Sequence, residues 1–309
     1  MRVILEIVAP VFLIIALGYG AARWSFIDKA GFHGLNGFTF ALAAPSLLFL
    51  GGTTGPAGGG RAALAFFLGT GLLYAVVLVA ARCGARQPLG QAGMLALDCT
   101  FGNTVMMGIP LVTAAFGAEA LAVLLAILAL HSMVLLGTAT VVAEIGLHAH
   151  APWWRVLRAT VMGVARNPIV MAVLGALVWR LLGLPPPPGV VRHTLELFGG
   201  AAPPVALFCL GGSLAGFDAR TAWRETVVAC GLKLFAMPAL VWAMCLLMAL
   251  PPRETAVTVV TAALPTGANA YLLAQRYRIS ADRSGATVLV GTSLSVLTLA
   301  ALLSWFRVG

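Results

Sequence analysis

Apolar residues run along this chain in long unbroken blocks, and the polar residues collect between the blocks. Ten blocks stand out, at about 3–22, 34–51, 62–81, 92–116, 119–144, 161–182, 193–216, 222–250, 254–276 and 284–306. A helix rising about 1.5 Å per residue needs roughly 20 residues to cross some 30 Å of hydrocarbon, and the blocks match that length. Membrane barrel strands would instead alternate apolar and polar residues over short segments. The pattern therefore predicts an all-α integral membrane protein of ten spans with short connections. Two blocks break their own rule. The fourth carries "DCTFGNTVMMGIP" (98–110) and the ninth "LPTGANAYLLA" (264–274), each with hydroxyls, an asparagine, glycines and a proline where hydrocarbon is expected.

Composition agrees with the pattern and removes other classes. With 61% hydrophobic and 9% charged residues, a soluble globule of 309 residues would have no interior large enough for its apolar surface. The formal charge of +9 reads as a topology signal. Arg23 and Lys29, Arg82 and Arg86, Arg155, Arg158 and Arg166, Arg220 and Arg224, then Arg276, Arg278 and Arg283 fall on alternate connections. The opposite side holds fewer: Arg2, Arg61, Arg180, Arg192, Arg253 and Arg307. The positive-inside rule then places both termini outside an inner membrane and the central connection in the cytoplasm. No basic patch is interleaved with exposed aromatics, so a nucleic-acid partner is not expected. Glu6 interrupts the first block, which is expected to be retained as a span and not cleaved as a signal. Cys83, Cys99, Cys209, Cys230 and Cys245 lie in or at the ends of blocks and show no metal spacing.

The blocks also repeat. "AAPSLLFLGG" (43–52) in the second returns as "AAPPVALFCLGG" (201–212) in the seventh, and the polar interruption of the fourth returns in the ninth. Five spans separate the partners, and an odd number reverses direction. The halves read as inverted repeats, as in many secondary transporters.

Proline within a span removes a backbone donor and clashes with the preceding turn, and glycine lowers the resistance to breaking. Pro110 with Gly102 and Gly108, and Pro265 with Gly267, therefore predict two broken helices. Freed backbone at membrane depth must find protein, water or substrate, at several kcal/mol per lost partner. Half-helix N-termini offer free N–H groups and partial positive charge, which suit a carboxylate, with Asn103, Thr104, Thr266 and Asn269 beside them. Taken singly, each interruption reads first as a kink whose asparagine bonds a neighbouring helix. The same set at matched positions in both halves favours a binding site.

"NTVMMGIP", "RNPIVMAVLGALVW" (166–179), "FGGAAPPVALFCLGGSLA" (198–215), "ALPTGANAYLLAQRY" (263–277) and "GTSLSVLTLA" (291–300) resemble the auxin efflux carrier family, and the resemblance runs through nearly the whole chain. That family holds plant auxin exporters and bacterial carriers of malonate and other organic anions. The resemblance implies ten helices in two inverted five-helix repeats, with helices 4 and 9 broken and crossing, as in bile-acid symporters and sodium–proton antiporters. The repeats would occupy 1–145 and 161–309, joined by a cytoplasmic connection at 146–160. Helices 1, 2, 6 and 7 would form a scaffold that dimerises, and helices 3–5 and 8–10 a moving transport unit. Substrate contacts carry over to Asn103 and Pro110 at the first crossover and to Pro265 and Asn269 at the second. The long cytoplasmic loop of the plant exporters is missing, which makes their phosphorylation control doubtful here.

Other polar groups lie at membrane depth. Lys233, inside the eighth span, requires a partner or water, and Asp98 is the expected partner. The pair reads either as functional, with Lys233 stabilising the crossover or attracting an anion while Asp98 takes up a proton or cation, or as a structural ion pair within the moving bundle. His131, beside Ser132 in the fifth span, is a further protonatable candidate, and Thr292, Ser293 and Ser295 occupy the matching part of the tenth. A lone membrane histidine also serves as a helix-to-helix hydrogen bond. Glu119 and Glu144 sit at span ends and read as interfacial, and Trp153 and Trp154 as an anchor for the central connection. "PPPP" (185–188) is a stiff outer turn.

No phosphate-cradling loop, zinc motif or convergent triad is present in the sequence, so neither an enzyme nor a cofactor is expected. The expectation is a secondary carrier of small organic anions, malonate-like acids leading, that moves its crossover bundle like an elevator within a homodimer. A channel or receptor built on the same crossover is the alternative. The coupling ion stays open: Asp98 and His131 permit a proton, Lys233 would make a sodium ion unnecessary, and electrogenic uniport is a further option.

Overall fold

The fold was described from a computed structural model, which covers residues 8–54, 59–147, 168–217 and 222–306. Arg2, Glu6, Trp153, Trp154, Arg155, Arg158, Arg166, Arg220, Arg307 and nearly all of the 146–160 connection lie outside the described residues.

Among the described residues the chain forms helices and no strand beyond a single bridge. They are α1 (Ala9–Arg23), α2 (Lys29–Thr53), α3 (Gly60–Gly84), α4 (Leu89–Thr100), α5 (Thr104–Phe116), α6 (Ala118–Gly146), α7 (Pro168–Leu181), α8 (Gly189–Leu214), α9 (Trp223–Leu247), α10 (Pro252–Ala262), α11 (Ala268–Tyr277) and α12 (Ala281–Trp305). Six of these, α2, α3, α6, α8, α9 and α12, are long and apolar enough to cross a membrane. α4 with α5, and α10 with α11, are the two interrupted blocks, and neither half of either pair is long enough to span alone. Exposed leucines and valines such as Leu13, Leu72, Val76, Leu177 and Leu297 dress the outside.

Proline spacing shapes the helices locally. Thr39–Ala43, Thr104–Gly108 and Leu232–Ala236 are wide π-type turns, and each ends two residues before a proline, at Pro45, Pro110 and Pro238. The ring of a helical proline pushes against the carbonyl four residues back, and the turn ahead of it relaxes to a five-residue hydrogen bond. The N–H of the residue just before the proline then reaches five back: Ile109 to Thr104, Met237 to Leu232 and Ala44 to Thr39. At the other ends the signals are ordinary. Asp28 caps α2, its Oδ1 accepting the Gly31 N–H at 2.7 Å. Pro252 sits at the start of α10, where a missing donor costs nothing.

α1 packs on α8, and α2 packs on α7 and α8. α3 lies against α4, α6 and α9, α4 against α6, α9 against α10 and α12, and α11 against α12. Fewer contacts join the two groups, chiefly α5 with α8 and α2 and α7 with α6. Apolar side chains gain little from leaving lipid for a neighbouring helix, so close packing through small residues does the holding. A Cβ at Gly18 would overlap the carbonyl oxygen of Phe208, and one at Gly211 the carbonyl oxygen of Ile15. α1 and α8 thus touch backbone to backbone. Gly211→Val is expected to force them apart, at a cost of about 1–3 kcal/mol or more. Thermal unfolding in detergent checks this: a midpoint equal to that of the parent protein would contradict the contact.

Candidate functional site

The two helix breaks meet. α4 ends at Thr100, and Phe101 is extended, with φ −77° and ψ 106°. Asn103, with φ −77° and ψ 61°, centres a tight turn in which the Thr104 N–H donates to the Gly102 carbonyl at 2.9 Å. α5 begins there. From the other half, α10 ends at Ala262, and the chain leaves helix until Gly267 caps α11 in an extended conformation. The two non-helical segments lie antiparallel and bridge Gly102 to Thr266. The Asn103 N–H donates to the Pro265 carbonyl at 2.8 Å, and the Gly267 N–H donates to the Phe101 carbonyl at 3.0 Å. The Thr266 hydroxyl adds a bond to the Asp98 carbonyl at 2.7 Å. Each break therefore satisfies backbone groups that the other has orphaned, as buried amides require.

Glycine makes the approach feasible. A Cβ on Gly267 would stand 2.9 Å from the Phe101 ring and 3.1 Å from the Gly102 carbonyl oxygen, and one on Gly108 would stand 2.8 Å from Leu264 Cδ1. Gly102, Asn103, Thr104, Gly108, Pro110, Pro265, Thr266 and Gly267 are all buried around this crossing. The Asn103 carbonyl accepts the Gly108 N–H at 3.0 Å and so starts the wide turn ahead of Pro110. Its side-chain nitrogen, Nδ2, is buried and has no partner. Asn269 differs: it lies two residues into α11 and is exposed. Seven of the eight sequence-derived substrate positions are thus gathered and buried, and the eighth stands at the open edge.

Four charged or protonatable side chains, Asp98, Arg283, Lys233 and His131, crowd the same crossing, and the charges pair differently from the sequence-based expectation. Asp98 does not pair with Lys233. Its Oδ2 accepts from Arg283 Nε at 3.0 Å and from the Ser284 hydroxyl at 3.0 Å, with both Asp98 and Arg283 essentially buried. Arg283 extends through Nη1 to Glu225 Oε2 at 2.9 Å, and Gln87 donates to the other Glu225 oxygen at 3.4 Å. The block boundaries put Arg283 on a connection, but it lies within the first turn of α12, which begins at Ala281. The missed signal is its spacing: one helical position before Ser284, it shares a helix end facing Asp98. Lys233, on the wide turn of α9, is fully buried and donates to the Ala262 carbonyl at 2.6 Å, at the C-terminus of α10.

His131 is also fully buried. Its ring lies 4.6 Å from that of Phe101 and 5.9 Å from that of Phe66, centroid to centroid. Nδ1 lies 3.5 Å from the Thr104 hydroxyl, and Nε2 has no partner. The imidazole therefore abuts the first residue of α5. On α12, Thr292 is buried with an unpartnered hydroxyl, whereas Ser293 is exposed and bonds the Leu289 carbonyl. Glu119 pairs with Arg253 at 2.8 Å on an exposed rim, and Glu144 accepts from the Tyr277 hydroxyl at 2.8 Å. Trp179 ties the proline turn back by donating to the Pro185 carbonyl at 2.9 Å.

Broken helices with buried polar groups at membrane depth recur in secondary transporters. Residues 3–303 match the family described as membrane transport protein. The chain belongs to this family. It is a multi-pass membrane transporter and not an enzyme, and the family is that of the auxin efflux carriers. Across its full length it is 29% identical to a protein of Rhizobium meliloti (strain 1021) named "Putative malonate transporter", of which 98% is covered.

Proposed function

We propose that the protein is a secondary carrier of small carboxylates, with malonate-like dianions the leading substrates, whose binding seat is the α4/α5 and α10/α11 crossing. The observation that carries this reading is the Asn103 side chain: a buried amide donor without an acceptor, at the junction where two half-helices begin. Buried donors are nearly always bonded, and what this one lacks is an acceptor oxygen. The N-terminal ends of α5 and α11 favour the same anionic ligand. Family membership and the name of the Rhizobium relative point to the same substrate class.

The packing supports two inverted five-span repeats. Counting α4/α5 and α10/α11 as single broken spans, the exchange of each span for the one five places on maps α1 on α8 to α7 on α2. It also maps α4 on α3 to α10 on α9, and α5 on α6 to α11 on α12. Such a swap converts an inward-facing carrier into an outward-facing one. The group α1, α2, α7 and α8 would be the scaffold, paired with a second copy in the inner membrane, and the remaining helices the unit that slides past it, with both termini outside.

Uptake of a radiolabelled carboxylate panel into proteoliposomes tests the proposal, with pH, sodium and voltage gradients imposed one at a time. Saturable malonate uptake with accelerated exchange is expected. Non-saturable flux without exchange would replace the carrier by a channel, and binding without flux by a receptor.

A further inference from the structure

Lys233 is a fully buried cation of the transport bundle without a carboxylate partner among the described residues. Asp98 is engaged by Arg283 and Ser284. Its ammonium instead meets backbone. Nζ donates to the Ala262 carbonyl, the last of α10, and stands 3.6 Å from where a Cβ on Gly102 would lie. Gly102 is two residues beyond the end of α4 and is bridged to Thr266. The Thr261 carbonyl oxygen lies 3.7 Å from that same Gly102 position. The ammonium thus sits where the C-terminal ends of α4 and α10 come together.

Each helix C-terminus carries about half a negative charge, so two of them meeting in a low-dielectric interior present about one. A single cation balances them. In transporters with broken helices, unwound carbonyls and half-helix C-terminal ends are where a sodium ion or a proton is held. We propose that the Lys233 ammonium is a tethered cation filling that seat, so that the carrier runs without sodium. The inference rests on the transport reading above and goes beyond it by naming the coupling ion that the protein does not use.

Three features favour a resident cation over a vacant ion site. The Ala262 carbonyl, an obvious oxygen ligand, is already taken by Nζ. Asp98, the carboxylate nearest in sequence to the break, is held through Oδ2 by Arg283 and Ser284. Finally, the wide turn at Leu232–Ala236, set by Pro238, carries Lys233, so the chain's own geometry places the ammonium.

Two readouts test it. In proteoliposomes, wild-type uptake is expected to be unchanged when sodium is replaced by choline on both sides. In detergent, the wild-type unfolding temperature is expected to be equally indifferent. Lys233→Ala vacates the seat, and its unfolding temperature is expected to rise with added sodium, lithium or ethylammonium, since a ligand bound only by the folded state stabilises it. Uptake by the variant is expected to recover by about tenfold under the same salts. A wild-type requirement for sodium overturns the proposal. So does a Lys233→Ala protein that no small cation stabilises, or one that matches the wild type in choline. Should Lys233→Ala fail to fold, the wild-type comparison of sodium with choline still decides. Should no carboxylate be transported at all, the unfolding temperatures decide without reference to the substrate.

Discussion

Arg283→Met is expected to be among the most damaging single changes available in this protein, at about 3–5 kcal/mol. The substitution keeps most of the side chain's volume and removes its charge. Asp98, completely buried, would be left with the Ser284 hydroxyl alone, and its Oδ1 already lacks a partner. Removing one member of a buried ion pair strands the other in a medium that solvates it poorly, and that stranded charge, more than the lost attraction, sets the cost. Glu225 is half exposed and tolerates the loss. The expected result is a large drop in the detergent unfolding temperature and in the yield of monodisperse protein. The double variant Arg283→Met, Asp98→Leu removes both charges and is expected to recover much of the loss. Arg283→Lys is expected to recover only part of it, because a lysine cannot present the planar fork that serves Asp98 and Glu225 together. An Arg283→Met protein as stable as the parent would show that the pair contributes nothing.

Asn103→Ala is expected to do the reverse, leaving the fold intact and lowering carboxylate uptake to about a hundredth or less. The structural duties of Asn103 are all in its backbone: the N–H to Pro265, the carbonyl to Gly108, and the tight turn. Alanine keeps each of them. The side-chain nitrogen makes no bond within the protein, so folding loses nothing with it. A site built to hydrogen-bond its ligand, by contrast, loses heavily when that bond is deleted. Uptake near the parental rate, in a variant of unchanged unfolding temperature, would remove Asn103 from the seat.

The sequence was most informative where a rule has few exceptions. Proline and glycine within apolar blocks announced both breaks, and the bridge of Gly102 to Thr266 shows why they occur as a pair. Seven of the eight residues singled out for the seat converge because one backbone crossing needs them all. Charge pairing was harder to read. Lys233 and Asp98 are opposite charges at similar depth, and hydropathy contains no information on the face from which each enters a helix bundle. Arg283 escaped notice for a related reason. An arginine at the edge of an apolar block looks like a topology marker, and only the packing of α12 against α9 and α4 turns it inward. Asn269 has the opposite history: its motif matches that of Asn103, yet its position on α11 leaves it exposed.

The reciprocal bonds at the crossing also bear on how the protein is made. The first half leaves the ribosome first and carries a break whose Asn103 N–H and Phe101 carbonyl find their partners only on Pro265 and Gly267. Until the second half arrives, those groups face hydrocarbon or must recruit water, at several kcal/mol for each one left unmatched. The nascent N-terminal half is thus an incomplete object that insertion alone does not finish. Assembly ends with a late zipping step between segments made far apart in time, and a chain truncated before Pro265 has an open seam for membrane quality control to recognise.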